Sequence, residues 1–293
     1  MFEEIINHPI QGIRGKEFQS FIKTLLGRMN ISEKNMNELT NKENMKVYEN
    51  VFTHSCVDEK NNYEFYEILG DVTCNKIIVW YLKNRFPFLN NTEGVKVIAR
   101  LKINLVSKVS FSKWSLKLGF DKYISYDVET KIKNEIGVLE DCLEAFIGAS
   151  ELLIDKIFKG GGYFFCYRFL TSILEEEDIS LKYEDLYDPI TRLKETFDYY
   201  NSMNMKNTCP YIWGTIRFEN RKLEEGGQYV RLIQKQASKE EVLLEDEGLY
   251  LMDIKYRLCQ IYLDRLRKLG FEKPLSDYYK KIEYEQIKLE CSR

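Results

Sequence analysis

Five acidic side chains in two short segments could do chemistry together. They are Glu64, Glu67 and Asp71 in NNYEFYEILGD, and Asp141 and Glu144 in GVLEDCLEAFIGAS. On a helix, offsets of three, four and seven residues bring side chains to one face. Two such helices packed together would present a ring of carboxylates, and oxygen ligands suit Mg²⁺ or Mn²⁺ better than Zn²⁺. Phosphodiester cleavage is the leading chemistry that this pattern predicts.

The same spacing also has an ordinary interpretation, because acidic residues at helical intervals usually mark a solvated helix face. Apolar residues crowd both segments, however, and Ala145 and Gly148 continue the stripe that carries Asp141 and Glu144. Small residues let another helix approach closely, so we expect these two carboxylates to face protein. Unpaired buried charge is costly, and a metal ion would compensate it. Spacing alone leaves both interpretations open.

Several motifs in a fixed order resemble the endonuclease domain of the ribonuclease III family. THS at residues 53–55 precedes NYEFYEILGD at residues 62–71, and LEDCLEAFIGA follows at residues 139–149. The family signature reads approximately NERLEFLGD and is followed by a DXXEAXIGA helix. KNRFP and NLVSKVSFSKWSLKLGF also fall where the family pattern expects them. The resemblance covers residues 46–182 and implies an all-helical endonuclease domain.

Carried over position by position, the resemblance implies a catalytic and metal-binding set of Glu67, Asp71, Asp141 and Glu144. Glu64 matches the first acid of the signature, which in the family supports the catalytic valley and the dimer contact, and we include it among the catalytic residues. All four central acids are present, although family members that have become structural subunits typically lose some of them. Residues 107–109 replace a polar turn that often carries Asn. We interpret that replacement as altered packing.

The resemblance also implies an activity and partners. It predicts a Mg²⁺- or Mn²⁺-dependent endoribonuclease that cleaves double-stranded RNA with metal-activated water and leaves 5′-phosphate and 3′-hydroxyl ends. A homodimer would place two sites across the wide minor groove of A-form RNA. No membrane and no nucleotide cofactor is expected. The alternative is a non-catalytic interaction subunit of an RNA-processing or ribosomal assembly.

A second resemblance, to a double-stranded RNA binding domain, begins with DPITRLKE at residues 188–195. Alternating apolar residues predict strands at residues 211–218, 229–236 and 242–244, and a helix follows at residues 251–269. The predicted fold class is therefore mainly α, with a small α-β-β-β-α domain after the nuclease domain.

The predicted domain organisation has four parts. They are an N-terminal helical extension at 1–45, the nuclease domain at 46–182, the divergent RNA-binding-like domain at 186–270 and a C-terminal extension at 271–293. Within them, a helix is predicted at residues 16–29, a surface loop or cap at 31–44, a helix–helix connection at the triple glycine 160–162 and a linker at the acidic run 175–178.

The RNA contacts of the second domain look weakened. Its candidates are Arg192, Lys194, Lys255 and Arg257. The loop ENRKLEEGGQ has no GPXH-like element, and Glu224 and Glu225 stand where phosphates should approach. Because phosphate neutralisation dominates affinity for duplexes, this domain is expected to keep its fold but to contribute little RNA affinity. RNA binding and protein packing both stay open as its role.

Composition limits the remaining possibilities. The chain of 293 residues has 43 Lys and Arg against 46 Asp and Glu, a net charge of −3, so RNA binding must rely on local patches. Seven cysteines form no CXXC pair, which favours a reducing compartment. No segment resembles a signal peptide or a membrane span. We expect a cytoplasmic, nuclear or virion-associated protein.

The two histidines, His8 and His54, offer little support for a protein nucleophile. No serine or cysteine has a histidine base nearby in the sequence. For His54 in FTHSC, we expect local hydrogen bonding as in the family. Catalysis through a protein nucleophile is therefore not expected.

Overall fold

The computed structural model describes residues 9–203, 211–224, 226–236 and 239–291. These residues form two compact units, which divide between Ile179 and Ser180. In the described ranges, no helix is long and apolar enough to cross a membrane. The finer domain boundaries expected from the sequence stay predictions, and His8 and Glu225 lie outside the described residues.

The described part of the first unit is almost entirely helical. A short antiparallel pair joins β1 (Pro9–Ile10) to β2 (Tyr126–Asp127). The helices, in chain order, are α1 (Lys16–Gly27), α2 (Glu33–Leu39), α3 (Lys42–Val51), α4 (Glu64–Arg85), α5 (Gly94–Leu105), α6 (Lys108–Leu118), α7 (Val128–Ile157) and α8 (Gly162–Leu174).

Helices α4 and α7 pack against each other without intervening side chains at two glycines. A Cβ atom at Gly70 would overlap the carbonyl group of Glu144, and one at Gly148 would overlap the carbonyl oxygen of Tyr66. Glycine at both positions lets one backbone lie directly on the other. The close approach expected at Gly148 is confirmed, and it brings the acidic segments of the two helices together.

Helix α7 is interrupted once before it reaches the acidic segment. Asn134 has non-helical backbone angles, φ −146° and ψ 27°, so the section that carries Asp141 and Glu144 begins after a kink. The helix ends at Ile157, and α8 begins at Gly162. The triple glycine is therefore a helix–helix connection, as predicted.

The N-terminal segment is more helical than the sequence suggested. Helix α1 occupies the predicted place and buries Phe18 and Ile22, although it ends at Gly27. Residues 31–44 were predicted as a surface loop or cap; the loop is wrong, because α2 and the start of α3 fold there, but the segment does provide helix caps. Two side chains cap these helices: Ser32 accepts from the backbone N–H of Asn35, and Asn41 accepts from that of Asn44. Capping satisfies backbone donors that would otherwise be unpaired, which explains how a polar stretch becomes helical.

The acidic run after α8 is non-helical and lies directly before the division between the two units, where the sequence predicted that a linker opens. Glu176 pairs with Arg28 at 3.2 Å and with Lys117 at 2.7 Å, and Glu177 pairs with Lys113 at 2.8 Å. These ion pairs attach the run itself to the first unit, which the sequence did not suggest. Opposite charges on distant helices, which no local sequence pattern reveals, are the physical reason.

The second unit contains the α-β-β-β-α order that the sequence predicts, and the predicted fold class is confirmed. Its elements are α9 (Tyr183–Leu186), α10 (Pro189–Ser202), β3 (Thr215–Lys222), β4 (Gln228–Gln236), β5 (Lys239–Gly248), α11 (Leu251–Lys268) and α12 (Asp277–Glu290). The strands form an antiparallel sheet in the order β3-β4-β5. One face of this sheet and the helices α10 and α11 share a core that includes Phe197, Val230, Leu232 and Leu258.

The strands extend farther into charged sequence than expected. Strand β3 continues through residues 219–222, which were predicted to lie in the loop, and β5 spans ten residues where three were predicted. In the longer β5, Glu240 pairs with Arg217 of β3 at 2.6 Å and Glu245 pairs with Arg231 of β4 at 3.3 Å, and in the added part of β3 Glu219 lies opposite Arg231 of β4. Opposite charges on facing strands stabilise pairing that hydrophobic alternation does not signal.

Candidate carboxylate-lined active site

The contact between α4 and α7 brings the charges of Glu67, Asp71 and Asp141 to bear on Glu144, and the charge of Glu64 acts on Glu67. Glu64, Glu67 and Asp71 come from α4, and Asp141 and Glu144 come from α7. Glu144 is buried, Glu67 and Asp141 are half-buried, and Glu64 and Asp71 are exposed. The expectation that Asp141 and Glu144 face protein is thus confirmed.

Burial and mutual repulsion perturb these acids strongly. Burial, followed by the negative charges of Asp141 and Glu140, raises the pKa of Glu67 to about 7. Burial, followed by the charge of Asp71, raises the pKa of Glu144 to about 8. Each shift means that the protonated acid is favoured, because burial and the neighbouring carboxylates disfavour the charged form. Groups with this combination of burial and crowded charge are candidates for a functional site.

Asp141 is held by a tyrosine from the turn before α4. The hydroxyl of the buried Tyr63 donates to Oδ2 of Asp141 at 3.1 Å. Burial raises the pKa of Asp141, and the Tyr63 hydrogen bond opposes that shift. Tyr63 therefore orients one oxygen of the carboxylate and favours its charged form.

His54 has the local role that the sequence indicated. Its Nδ1 accepts from the backbone N–H of Cys56 at 3.0 Å, and its ring contacts that of Tyr63 edge-on at 5.6 Å. The prediction of local hydrogen bonding is confirmed. The histidine also packs against the residue that orients Asp141, which the sequence did not suggest.

The donor chemistry of the site suits a hard divalent cation. Its candidate ligands are all carboxylate oxygens, and the raised pKa values of Glu67 and Glu144 show that positive charge is in deficit there. Within the described ranges, no three His, Cys, Asp or Glu side chains stand close enough to form a ready metal-binding group. The donor set therefore fits such an ion by chemistry, while the roles of the individual acids stay predictions.

Comparisons with known proteins agree with this site. Residues 64–153 match the family model described as Ribonuclease III domain, and this range includes all five acids. A protein named as a ribonuclease 3 in Invertebrate iridescent virus 6 is 37% identical over 197 residues, which cover 63% of this chain and 67% of that protein. The chain belongs to the ribonuclease III family. By homology it is an endoribonuclease of the ribonuclease III type.

Two further relatives show how far the similarity extends. A protein named as a ribonuclease 3 in Frog virus 3 is 41% identical over 155 residues, which span 52% of this chain and only 42% of that protein. The nuclease domain of ribonuclease III from Campylobacter jejuni is 24% identical, with a TM-score of 0.41, over 53% of this chain and 96% of that chain. Relatives of this chain thus include viral proteins.

One ion pair at the site was missed by sequence reasoning, and it involves a departure from the ribonuclease III pattern. Lys108, in the turn that often carries Asn in the family, places Nζ 3.0 Å from Oε2 of Glu140. This pairing holds the pKa of Lys108 above its ordinary value. Glu140 is buried and lies one helical turn before Glu144, so the i, i+4 rule could have found it. The change at residue 108 therefore alters the charge at the site as well as the packing.

The predicted RNA-binding residues of the second unit lie in a different setting. Arg192 donates to Gln260 at 2.6 Å, and Arg257 donates to Asp246 at 2.5 Å. Lys255 lies over the ring of Phe218 at 5.1 Å, whereas Lys194 is exposed. Three of the four candidates thus contact other residues of the same unit. Their role in RNA binding stays a prediction.

Proposed function

We propose that the chain is a metal-dependent endoribonuclease that hydrolyses double-stranded RNA and leaves 5′-phosphate and 3′-hydroxyl ends. The observation that carries this proposal is the crowded carboxylate group where α4 meets α7, with the pKa of Glu67 at about 7 and that of Glu144 at about 8. Such a group is costly to assemble unless it binds positive charge. Family membership supports the reaction class.

Glu67, Asp71, Asp141 and Glu144 would hold Mg²⁺ or Mn²⁺. When bound, such an ion lowers the pKa of a water molecule and stabilises negative charge on the leaving oxygen. The protein contributes a fixed arrangement of the acids. Tyr63 orients Asp141 through its hydroxyl, and Lys108 pairs with Glu140 so that this extra buried carboxylate adds less repulsion.

The direct test is incubation of purified protein with end-labelled duplex RNA. Cleavage should require Mg²⁺ or Mn²⁺, and the products should carry 5′-phosphate and 3′-hydroxyl ends. Single-stranded RNA of the same sequence is the matched control. Cleavage that persists in excess EDTA would contradict the metal mechanism, whereas a folded dimer that binds metal and duplex without cutting would favour the alternative of an interaction subunit.

The proposal includes a homodimer, because one site can cut only one strand of a duplex. Helix α4 exposes an apolar row: Phe65 is 63% exposed, Ile68 is 67% exposed and Val72 is 66% exposed. Tyr66 and Leu69 of the same helix are half-buried and do not extend this row. An exposed apolar row on the helix that carries three of the acids fits a second copy of the chain.

Light scattering at micromolar concentration tests the dimer. The wild-type protein should have twice the mass of one chain, and Ile68→Glu should give a monomer because it places a charge in an apolar interface. Val95→Glu is the matched control, since Val95 is 61% exposed on α5. A wild-type monomer that still cuts both strands would contradict the dimer.

A further inference from the structure

Asp71 is attached to a chain of two hydrogen bonds that leads away from the carboxylate group. The side-chain amide of Asn75 donates to Oδ1 of Asp71 at 2.7 Å and to its backbone carbonyl at 2.8 Å. Nζ of Lys102 donates to the amide oxygen of Asn75 at 2.8 Å. Asp71 and Asn75 lie one turn apart on α4, and Lys102 reaches them from α5.

The lysine fixes which way the asparagine amide points. An ammonium group can only donate hydrogen bonds, so the amide oxygen of Asn75 must face Lys102. Its NH₂ group is then left to face Asp71. The positive charge also polarises the amide and strengthens the bond that it donates to a carboxylate. The exposed Asp71 thereby gains a defined orientation that exposure alone would not give it.

The placement of Lys102 agrees with a local role. It is half-buried directly after the buried Leu101, whereas Lys96 on the same helix is exposed. A half-buried lysine packs its aliphatic stem and loses freedom at its head group. Its ammonium is therefore placed to hold Asn75.

We propose that Lys102 is a positioning residue that acts through Asn75 to hold Asp71 in the orientation in which it binds metal. This inference rests on the proposed function, because it assigns Asp71 to the metal. It adds two residues, Asn75 and Lys102, that support the acids without touching substrate. Loss of such a supporting partner typically weakens metal binding roughly 10- to 100-fold.

The test measures Mg²⁺ affinity of the whole protein by calorimetry and by metal-induced thermal stabilisation, without RNA. Lys102→Met should weaken Mg²⁺ binding by about tenfold or more. Lys102→Arg, which keeps the charge and donors, should restore most of the affinity. Lys96→Met on the same helix should match wild type.

A double variant tests whether the lysine acts through the asparagine. Asn75→Ala should weaken Mg²⁺ binding, and Asn75→Ala combined with Lys102→Met should weaken it no further, because both changes break one chain. The proposal would be overturned if the double variant weakened Mg²⁺ binding by the product of the two single effects. It would also be overturned by a Lys102→Met protein that binds Mg²⁺ normally but loses duplex affinity in EDTA, since Lys102 would then be a phosphate contact.

The outcomes separate this inference from the function on which it rests. If wild type binds Mg²⁺ and cleaves duplex RNA while Lys102→Met does both equally well, only the positioning role fails. If wild type shows neither Mg²⁺ binding nor cleavage, the proposed function fails and the positioning role fails with it.

Discussion

Acidic side chains at two places in the molecule, one in each unit, have opposite pKa shifts. Where α4 meets α7, burial and neighbouring acids raise the pKa of Glu67 and of Glu144. On the sheet of the second unit, a hydrogen bond from Arg217 lowers the pKa of Glu240, and one from Arg257 lowers that of Asp246. Charge on the sheet is therefore balanced within the chain, whereas charge at the carboxylate group is not.

This difference separates a candidate site from a structural surface. Exposed ion pairs such as those on the sheet contribute little to stability, but each one occupies an arginine that could otherwise contact phosphate. The crowded acids behave differently, because their negative charges destabilise the fold. A bound cation would remove that destabilisation. Uncompensated charge, more than the number of charges, marks the place where a ligand is expected.

The largest expected effect comes from removing one uncompensated charge. Glu144→Gln keeps the shape of the buried side chain but removes a metal ligand, so cleavage should fall by roughly 10²- to 10⁴-fold. Because the pKa of Glu144 is about 8, this group is largely protonated at neutral pH and the variant should fold at least as well as wild type. Cleavage assays and thermal unfolding measure the two expectations.

The matched control for that variant is Glu135→Gln, which removes a half-buried acid of the same helix whose side chain is 42% exposed. Glu135 lies 3.9 Å from Lys131 on the surface, so its loss should leave cleavage within about twofold of wild type. Undiminished cleavage by Glu144→Gln would mean that the crowded acids are not the catalytic group.

A smaller effect is expected when the partly compensating lysine is removed. Lys108→Gln should leave the buried Glu140 unpaired and should raise the pKa of Glu67 further, because the Lys108 charge now lowers it. The acid limb of the pH–rate profile should move to higher pH, and cleavage at pH 7 should fall by about tenfold for each unit of that shift. An unchanged pH profile would show that Lys108 has no electrostatic role at the site.

The sequence predicted that the acidic segments of α4 and α7 meet, because the spacing of their residues is local, and it missed what depends on distant partners. Helical offsets and small residues on α7 were enough to foresee that Asp141 and Glu144 face protein. Lys108 was interpreted as packing, since nothing local shows that its ammonium reaches Glu140 on another helix. The chain from Lys102 to Asp71 also joins two helices.

Distant partners also explain two features of the fold that the sequence did not show, whereas the helices at residues 31–44 depend on local caps. The acidic run at residues 175–178 resembles a linker until its ion pairs with Lys113 and Lys117 are known. Strand β3 continues through charged residues that pair with β4, where Glu219 lies opposite Arg231. Patterns of hydrophobic residues locate the core, but cross-element charge pairs decide where these elements end.

A third expected effect is a pH dependence of stability without metal. Because the folded pKa values of Glu67 and Glu144 lie near 7 and 8, above the ordinary value of 4.5, the folded state binds more protons than the unfolded state between these limits. Stability contributed by these groups is present at low pH and is lost as pH rises through 7 and 8. The melting temperature in EDTA should therefore fall by a few degrees between about pH 5.5 and 8.5.

Magnesium should oppose that fall, and Glu144→Gln should reduce it, because the ion neutralises the acids and the variant removes one of them. Scans of melting temperature against pH, with and without Mg²⁺, give the comparison. A melting temperature that rises steadily with pH in EDTA would show that the negative charges of these acids are already balanced in solution. The two units would then no longer differ in how their acidic charges are compensated.

The smallest effect is expected in the second unit, where the charges are already paired. Arg192 and Arg257 each donate to a neighbour, so the residues left to contact phosphate are the exposed Lys194 and the ring-stacked Lys255. Exposed acidic Glu224 stands in the β3–β4 turn, which should repel a duplex. Replacing both lysines by glutamine in the full chain should reduce duplex affinity by less than about twofold near 150 mM salt.

A fragment spanning residues 180–293 gives the sharper measurement, because this unit has its own core. Titration against a duplex of about 20 base pairs should give binding weaker than roughly 1 μM near 150 mM salt, since few phosphates can be neutralised. Each phosphate contact adds about one to the slope of log affinity against log salt, so a shallow slope is also expected. Submicromolar binding with a steep slope would mean that the paired arginines exchange their partners for RNA, and paired charge would then no longer distinguish a structural surface from a functional one.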